Sequence, residues 1–129
     1  MSEHNPNIAL ISELKAIVGA SYTITSAAKM EPYSKGFRFG SGDALTVARP
    51  ANLVEIWKVL KACEKAGVAI IMQAANTGLT GGSTPDGNDY DRPIVIVNTM
   101  RIDQIQLIDD AKQIIGLPGS TLFGLEETL

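Results

Sequence analysis

The chain has 129 residues, 45% of them hydrophobic, which is enough for one core and within the range of a single small domain. A formal net charge of -3, with Lys and Arg scattered along the chain, gives no basic field for nucleic acid. Cys63 is the single cysteine, which excludes an internal disulfide and a cysteine-built zinc site and fits a reducing, cytosol-facing compartment.

The chain opens on a polar arm, Met1-Ser2-Glu3-His4-Asn5-Pro6-Asn7, without the basic and apolar regions of a signal peptide, and no later run is long enough to span a membrane. Any membrane contact is therefore expected to be peripheral or to come from sequence outside this chain. Ile8, Leu10, Ile11, Leu14, Ile17 and Val18 then recur at helical spacing and predict an amphipathic helix capped by Asn7 and ended by Gly19. Residues 21–30 show no clear period and predict a connector with a turn of helix, and Glu31-Pro32 argues against a helix running through that point. Residues 33–43 combine glycines with aromatics and cations. They read as a solvated loop before a strand, or as a loop whose Lys35 or Arg38 faces an anionic ligand.

Residues 44–48 predict a short strand stopped by Arg49-Pro50. Asn52, with Glu55 three residues on, predicts a capped helix whose core stripe is Leu53, Ile56, Trp57, Leu60 and Cys63 and whose stop is Gly67. Residues 68–72 are a continuous apolar run, the pattern of a strand covered on both faces, and strand, helix, strand predicts a parallel pair. Residues 94–97 predict a third buried strand. Residues 105–108 and 113–117 predict a hairpin around the polar turn at 109–112. Pro118-Gly119-Ser120 then introduces a helix with Ser120 or Thr121 as cap and Leu122, Phe123, Leu125 and Leu129 on its apolar side. A helix that ends on an apolar residue before any cap predicts that the natural protein continues and that this is its N-terminal piece.

Between the second and third strands, residues 73–85 abandon all periodicity. Gly78, Gly81 and Gly82 permit positive φ and close approach of a ligand, and Asn76, Thr77, Thr80, Ser83 and Thr84 supply short neutral donors. Successive backbone N–H groups in such a loop form an anion nest, and the loop leaves the C-terminal end of a parallel strand, where open sheets bind ligands. No Lys or Arg lies between Gln73 and Asp91, so a phosphate held here is held by neutral dipoles, as suits a bound cofactor better than a transferred phosphoryl group. A mobile surface loop is the other reading of the same composition. The tail, residues 86–91, offers oxygen ligands but lacks the register and closing glutamate of an EF-hand loop.

The order of strand, Arg49-Pro50, amphipathic helix, apolar strand, glycine-rich loop and a later Pro118-Gly119-Ser120-Thr121 resembles the opening of the p-cresol methylhydroxylase type of FAD-binding domain. Within that superfamily four stretches resemble the bacterial quinone-dependent D-lactate dehydrogenases more specifically. They are Tyr33-Ser34-Lys35-Gly36-Phe37-Arg38, Leu60-Lys61-Ala62-Cys63, Met72-Gln73-Ala74-Ala75-Asn76-Thr77-Gly78-Leu79-Thr80 and Gly82-Ser83-Thr84-Pro85-Asp86-Gly87-Asn88-Asp89-Tyr90-Asp91-Arg92. The resemblance runs from about Tyr33 to the final residue. It implies a respiratory flavoenzyme, peripheral on the cytoplasmic face of the inner membrane, that oxidises D-lactate to pyruvate and passes electrons through FAD to quinone. It places Ala74, Ala75, Asn76, Thr77, Gly78, Gly82 and Ser83 on the segment that wraps the FAD diphosphate. Covalent attachment in this superfamily uses histidine or cysteine, and residues 74–91 contain neither, so the FAD is expected to be non-covalent.

Oxidising a 2-hydroxy acid needs a base near the hydroxyl proton and a cation for the carboxylate. The one histidine is His4, in the polar arm, so no catalytic residue is expected in this chain and the chain alone is expected to be inactive. Arg38 and Arg101 are candidate carboxylate partners, with structural pairing or exposure as the alternative. The expected fold class is α/β, α+β overall: a small parallel β-α-β sheet flanked by helices, then the start of a second, antiparallel FAD subdomain, truncated. The expected division is residues 1–43 as helix and connector, 44–100 as the first FAD-binding subdomain and 101–129 as the incomplete second. The alternative function is a self-sufficient small α/β ligand-binding module without catalysis. Self-association is expected of the truncated form, whose apolar terminal helix lies open.

Overall fold

A computed structural model describes residues 5–129 of the chain. Helix α1 spans Pro6–Val18, and a 3-10 turn at Ala20–Tyr22 leads into strand β1, Thr23–Ile24. Helix α2 is Ala27–Ser34, strand β2 Thr46–Ala48, helix α3 Leu53–Ala66 and strand β3 Ala69–Gln73. Strand β4, Ile94–Asn98, follows a long irregular loop, and strands β5, Ile105–Ile108, and β6, Gln113–Gly116, precede helix α4, Leu122–Thr128.

Four strands form one sheet in the order β1-β2-β4-β3, and β5 and β6 form a separate antiparallel hairpin. Strands β2 and β3 each pair in parallel with β4, while β1 pairs antiparallel with β2. The mixed α/β class expected from sequence is therefore found, but with β4 inserted between the two strands that α3 connects. β2 and β3 share a direction without being neighbours. Burial follows from that order. All five residues of β4 are buried, so the strand covered on both faces is β4, whereas β3 lies on the sheet edge with Met72 exposed.

Side chains of β4 alternate between two cores, as a period of two requires. Val95 and Val97 join Leu10, Leu14, Val18, Val59 and Cys63 beneath α1 and α3. Ile94 and Ile96 join Val47 and Met30 beneath α2. Each such fully buried Val or Ile contributes about 1.5–3 kcal/mol, so β4 is the strand on which both layers depend.

Three local expectations change. The cap of α1 is Asn5, whose side chain accepts from the Asn7 N–H at 2.9 Å, because Pro6 occupies the first helical turn and needs no N–H partner there. Helix α2 runs through Pro32. Ser26 caps it, accepting from the Lys29 N–H at 3.1 Å, and burial of Met30 and packing of Tyr33 under the sheet outweigh the single bond the proline removes. On α3 the cap is as expected, with Asn52 accepting from the Glu55 N–H at 2.9 Å and Gly67 at φ 69° ending the helix. Its buried stripe is Val59, Ala62 and Cys63 instead, and Trp57 is 61% exposed and Leu53 55%. At 3.6 residues per turn Trp57 lies roughly 160° around the helix from Val59, so one face cannot bury both. Cys63 is core as expected, and burial pushes its thiol up to about 11, with Glu13 adding to the effect.

The expected hairpin is present. Its polar turn places Asp109, Asp110 and Ala111 at φ 54°, 52° and 63°, a left-handed run of residues without glycine. Thr121, the second of the two expected caps, accepts from the Gly124 N–H at 3.0 Å to start α4, and Leu122 and Phe123 are 75% and 69% exposed.

Candidate ligand-binding site

The carboxyl ends of β2, β4 and β3 lie side by side because the three strands are parallel, and Arg49, Asn98 and Ala74 stand at or just beyond those ends. Two amides fix the geometry there. Gln73 and Asn98 are paired in register and 3% and 2% exposed. The Asn98 Nδ2 donates to Gln73 Oε1 at 2.9 Å and to the Ala74 carbonyl at 3.2 Å, and Asn98 Oδ1 accepts from the Met100 N–H at 3.1 Å. The Gln73 Nε2 donates to the carbonyls of Tyr33 at 2.7 Å and Ser83 at 2.9 Å. One buried pair thus holds both ends of the glycine-rich loop and the end of α2.

Asn76 provides a second pin. It adopts φ 58°, a conformation Asn tolerates better than most residues. Its Nδ2 donates to the Lys35 carbonyl at 2.8 Å and its Oδ1 accepts from the Ser83 hydroxyl at 2.8 Å. The side chain that sequence offered as a ligand donor is therefore turned inward. Thr84 is likewise no peripheral donor: it is 4% exposed, its hydroxyl has no partner among the described residues, and a Cβ at Gly40 would run into it. Residues 35–43 keep the exposure expected of a solvated loop at Lys35, Phe37, Arg38 and Phe39 while folding back on the glycine-rich loop. The Gly36 N–H donates to the Gly40 carbonyl at 2.7 Å, and Gly40 sits at φ 90° against Gly81.

Of the three loop glycines only Gly81 uses positive φ, at 76°. A Cβ at Gly78 would meet nothing within 4 Å, and one at Gly82 only the Thr80 hydroxyl at 3.6 Å, so the fold itself does not require glycine at either position. Among the described residues, the backbone N–H groups of residues 75–84 have no protein acceptor. Thr77, Gly78 and Gly82 lie exposed on the outer limb, Ser83 is tied to Asn76, and Ala74, Ala75 and Asn76 line a cleft of about 330 Å³ with Arg49, Tyr33 and Asn98. A larger concavity of about 640 Å³ lies between α1 and α3, but it is an open groove bordered by solvated pairs such as Lys65 with Glu13 at 3.4 Å, away from the strand ends.

The tail of the loop is stitched to its neighbour: Asn88 Oδ1 accepts from the Asp43 N–H at 2.8 Å, and the Gly87 N–H donates to the Ser41 carbonyl at 2.8 Å. Asp91 pairs with Arg92 at 2.8 Å, and that hydrogen bond and charge hold its carboxyl below the usual range. Arg101 is structural, donating to the Arg49 carbonyl at 2.6 Å with its guanidinium 3.4 Å over the Tyr22 ring. Arg38 stacks 5.9 Å from the exposed Phe39. His4 lies outside the described residues.

Sequence reasoning missed the Gln73–Asn98 pair and Arg49. The available signal was that two apolar strands each end on an amide, a residue type that a buried strand end accepts only when paired.

No family model matches the chain. Over 120 residues, 93% of the chain, it is 62% identical to the quinone-dependent D-lactate dehydrogenase of Haemophilus influenzae, and over 123 residues, 95% of the chain, 52% identical to that of Escherichia coli. These matches cover 21% and 22% of the two relatives, so the chain spans about a fifth of the length of the curated relatives it matches. In structure it matches p-cresol methylhydroxylase with a TM-score of 0.78 at 15% identity, over 98% of this chain and 25% of that one. Across most of its length the chain is thus similar to the quinone-dependent D-lactate dehydrogenases, on a fold shared with p-cresol methylhydroxylase.

Proposed function

We propose that the chain binds FAD non-covalently and forms the cofactor-holding part of a flavoprotein that oxidises D-lactate to pyruvate and passes the electrons to quinone. The observation that carries this reading is the row of backbone N–H groups at residues 75–84 without acceptors among the described residues, held at the carboxyl ends of parallel strands by the Gln73–Asn98 pair. Such a row matches a diphosphate, which offers acceptors and negative charge and no donors. Ala74, Ala75, Asn76, Thr77, Gly78, Gly82 and Ser83 hold it, the inward side chains of Asn76 and Ser83 shaping the loop while the main chain makes the contacts. Residues 44–100 form the first cofactor-binding unit and residues 101–129 the start of a second.

When bound, FAD supplies an acceptor for the two electrons that leave D-lactate with two protons, and quinone takes up the equivalent to give quinol. This chain's own part is to bind and orient. The one thiol, Cys63, is buried on the inner face of α3 with its ionisation suppressed, which suits non-covalent attachment. No helix among the described residues is long and apolar enough to cross a membrane, and a peripheral position on the cytoplasmic face of the inner membrane is part of this proposal.

Acid precipitation of the purified flavoprotein is expected to leave the yellow colour in the supernatant. Colour retained in the pellet would contradict non-covalent binding, and protein purified without flavin absorbance would contradict the reading altogether. The exposed Leu122 and Phe123, with Ile114 and Ile115 of β6 also open, predict that the 129-residue chain alone forms dimers or larger species by light scattering. A cooperative, thermostable monomer would favour the self-sufficient binding module.

A further inference from the structure

Arg49 is held in place, yet among the described residues its side chain has no carboxylate partner. Its N–H donates to the Tyr22 carbonyl at 2.9 Å and its carbonyl accepts from Arg101 at 2.6 Å, so the backbone is clamped on both sides. Two residues beyond Val47, its side chain falls on the α2 face of the sheet, with the guanidinium carbon 5.7 Å from the Tyr33 ring centroid. There the Nε is buried and has no hydrogen-bond partner among the described residues. The side chain lines the cleft with Ala74, Ala75 and Asn76, and among the described residues that line it none is acidic and Arg49 alone carries a formal charge. A buried guanidinium N–H without an acceptor is costly, and native proteins keep such groups where something else completes them.

We propose that Arg49 is the cationic contact of the cleft, taking an oxygen of a phosphate-class anion bound along Ala74, Ala75 and Asn76. Guanidinium and phosphate match in charge and in forked geometry, and the loop itself contains no cation to do this. The inference rests on the flavin reading for the ligand's identity, though the anion contact can be tested separately.

In the intact apo-flavoprotein, FAD affinity would be measured by quenching of flavin fluorescence, and inorganic pyrophosphate would serve as the bare anion probe. Arg49→Met is expected to weaken FAD binding by roughly ten- to a hundredfold, the loss of a hydrogen bond to a charged group. Pyrophosphate is expected to raise the melting temperature of the wild-type apo-protein and not that of the variant. Because the substitution removes an unpaired buried donor, the apo variant should be at least as stable as wild type. Lower apo stability with unchanged FAD affinity would make Arg49 a structural residue and overturn the proposal. Should Arg49→Met fail to fold, Arg49→Lys carries the test, with FAD binding expected several-fold weaker because a point charge replaces the fork; affinity equal to wild type would count against it. Normal FAD binding by Arg49→Met, alongside loss of flavin in Gly82→Val, would sink the Arg49 contact and leave the loop reading standing. A wild-type protein that binds pyrophosphate through Arg49 but no FAD would do the reverse.

Discussion

Gly82→Val is expected to emerge from purification largely free of flavin while keeping a native circular dichroism spectrum. The two halves of that expectation have separate physical sources. Within the protein, a Cβ at Gly82 meets only the Thr80 hydroxyl at 3.6 Å, and the residue does not use positive φ, so the fold has room for a side chain. An exposed substitution of this kind usually stays within about 0.5 kcal/mol of wild type. A ligand lying against the main chain of the loop has no such room, since valine would hold it away from the N–H groups at residues 75–84. Losing a hydrogen bond to a charged group costs about 1.5–3 kcal/mol, or roughly ten- to a hundredfold in affinity, and a steric block should cost at least that. Thr84→Ala provides the contrast: among the described residues its buried hydroxyl has no partner, so removing it should leave flavin content close to wild type. Stoichiometric FAD in Gly82→Val would end the claim that this loop is the diphosphate cradle.

The same loop shows how far the sequence could be read. Loss of periodicity after residue 72, with glycines and short polar side chains, was enough to find the loop and to attach it to the end of a strand, because composition and chain order are local facts. Which of its groups face outward was not legible. Asn76 and Thr84 look like donors in sequence and are turned inward, because the groups they meet, Lys35 and Ser83 for Asn76 and Gly40 beside Thr84, are distant in the chain or visible only once it has folded back. Strand order followed the same division. The apolar runs identified β3 and β4 as strands, but the insertion of β4 between β2 and β3 depends on the path of a long irregular connection that has no pattern of its own. Trp57 was misplaced for a simpler reason. An apolar residue at helical spacing is consistent with two stripes, and only the packing of Val59, Ala62 and Cys63 against α1 and the sheet decides between them.

Asn98→Ala is expected to destabilise the folded protein by about 2–6 kcal/mol, since it strands Gln73 Oε1 and the Met100 N–H, each at about 1–3 kcal/mol, and leaves the Ala74 carbonyl without this donor. Asn98 sits at the end of the fully buried β4, 2% exposed, so the partners it leaves behind are largely shielded from water. Asn88→Ala removes a hydrogen bond of similar length, 2.8 Å to the Asp43 N–H, from an exposed position, and should change stability by no more than about 0.5 kcal/mol. Denaturant unfolding of the two variants separates burial from hydrogen bonding as the source of the effect. A double-mutant cycle with Gln73→Ala should show strong coupling, because after the first substitution the second no longer breaks the shared bond. The consequence reaches the ligand as well: the Ala74 carbonyl loses its donor, and Gln73, which still donates to the Ser83 carbonyl, loses the bond that orients its amide, so flavin affinity should fall under conditions where the variant is still folded. If Asn98→Ala costs less than 1 kcal/mol, or loses stability while binding FAD as tightly as wild type, the pair is not what holds the loop in its binding geometry.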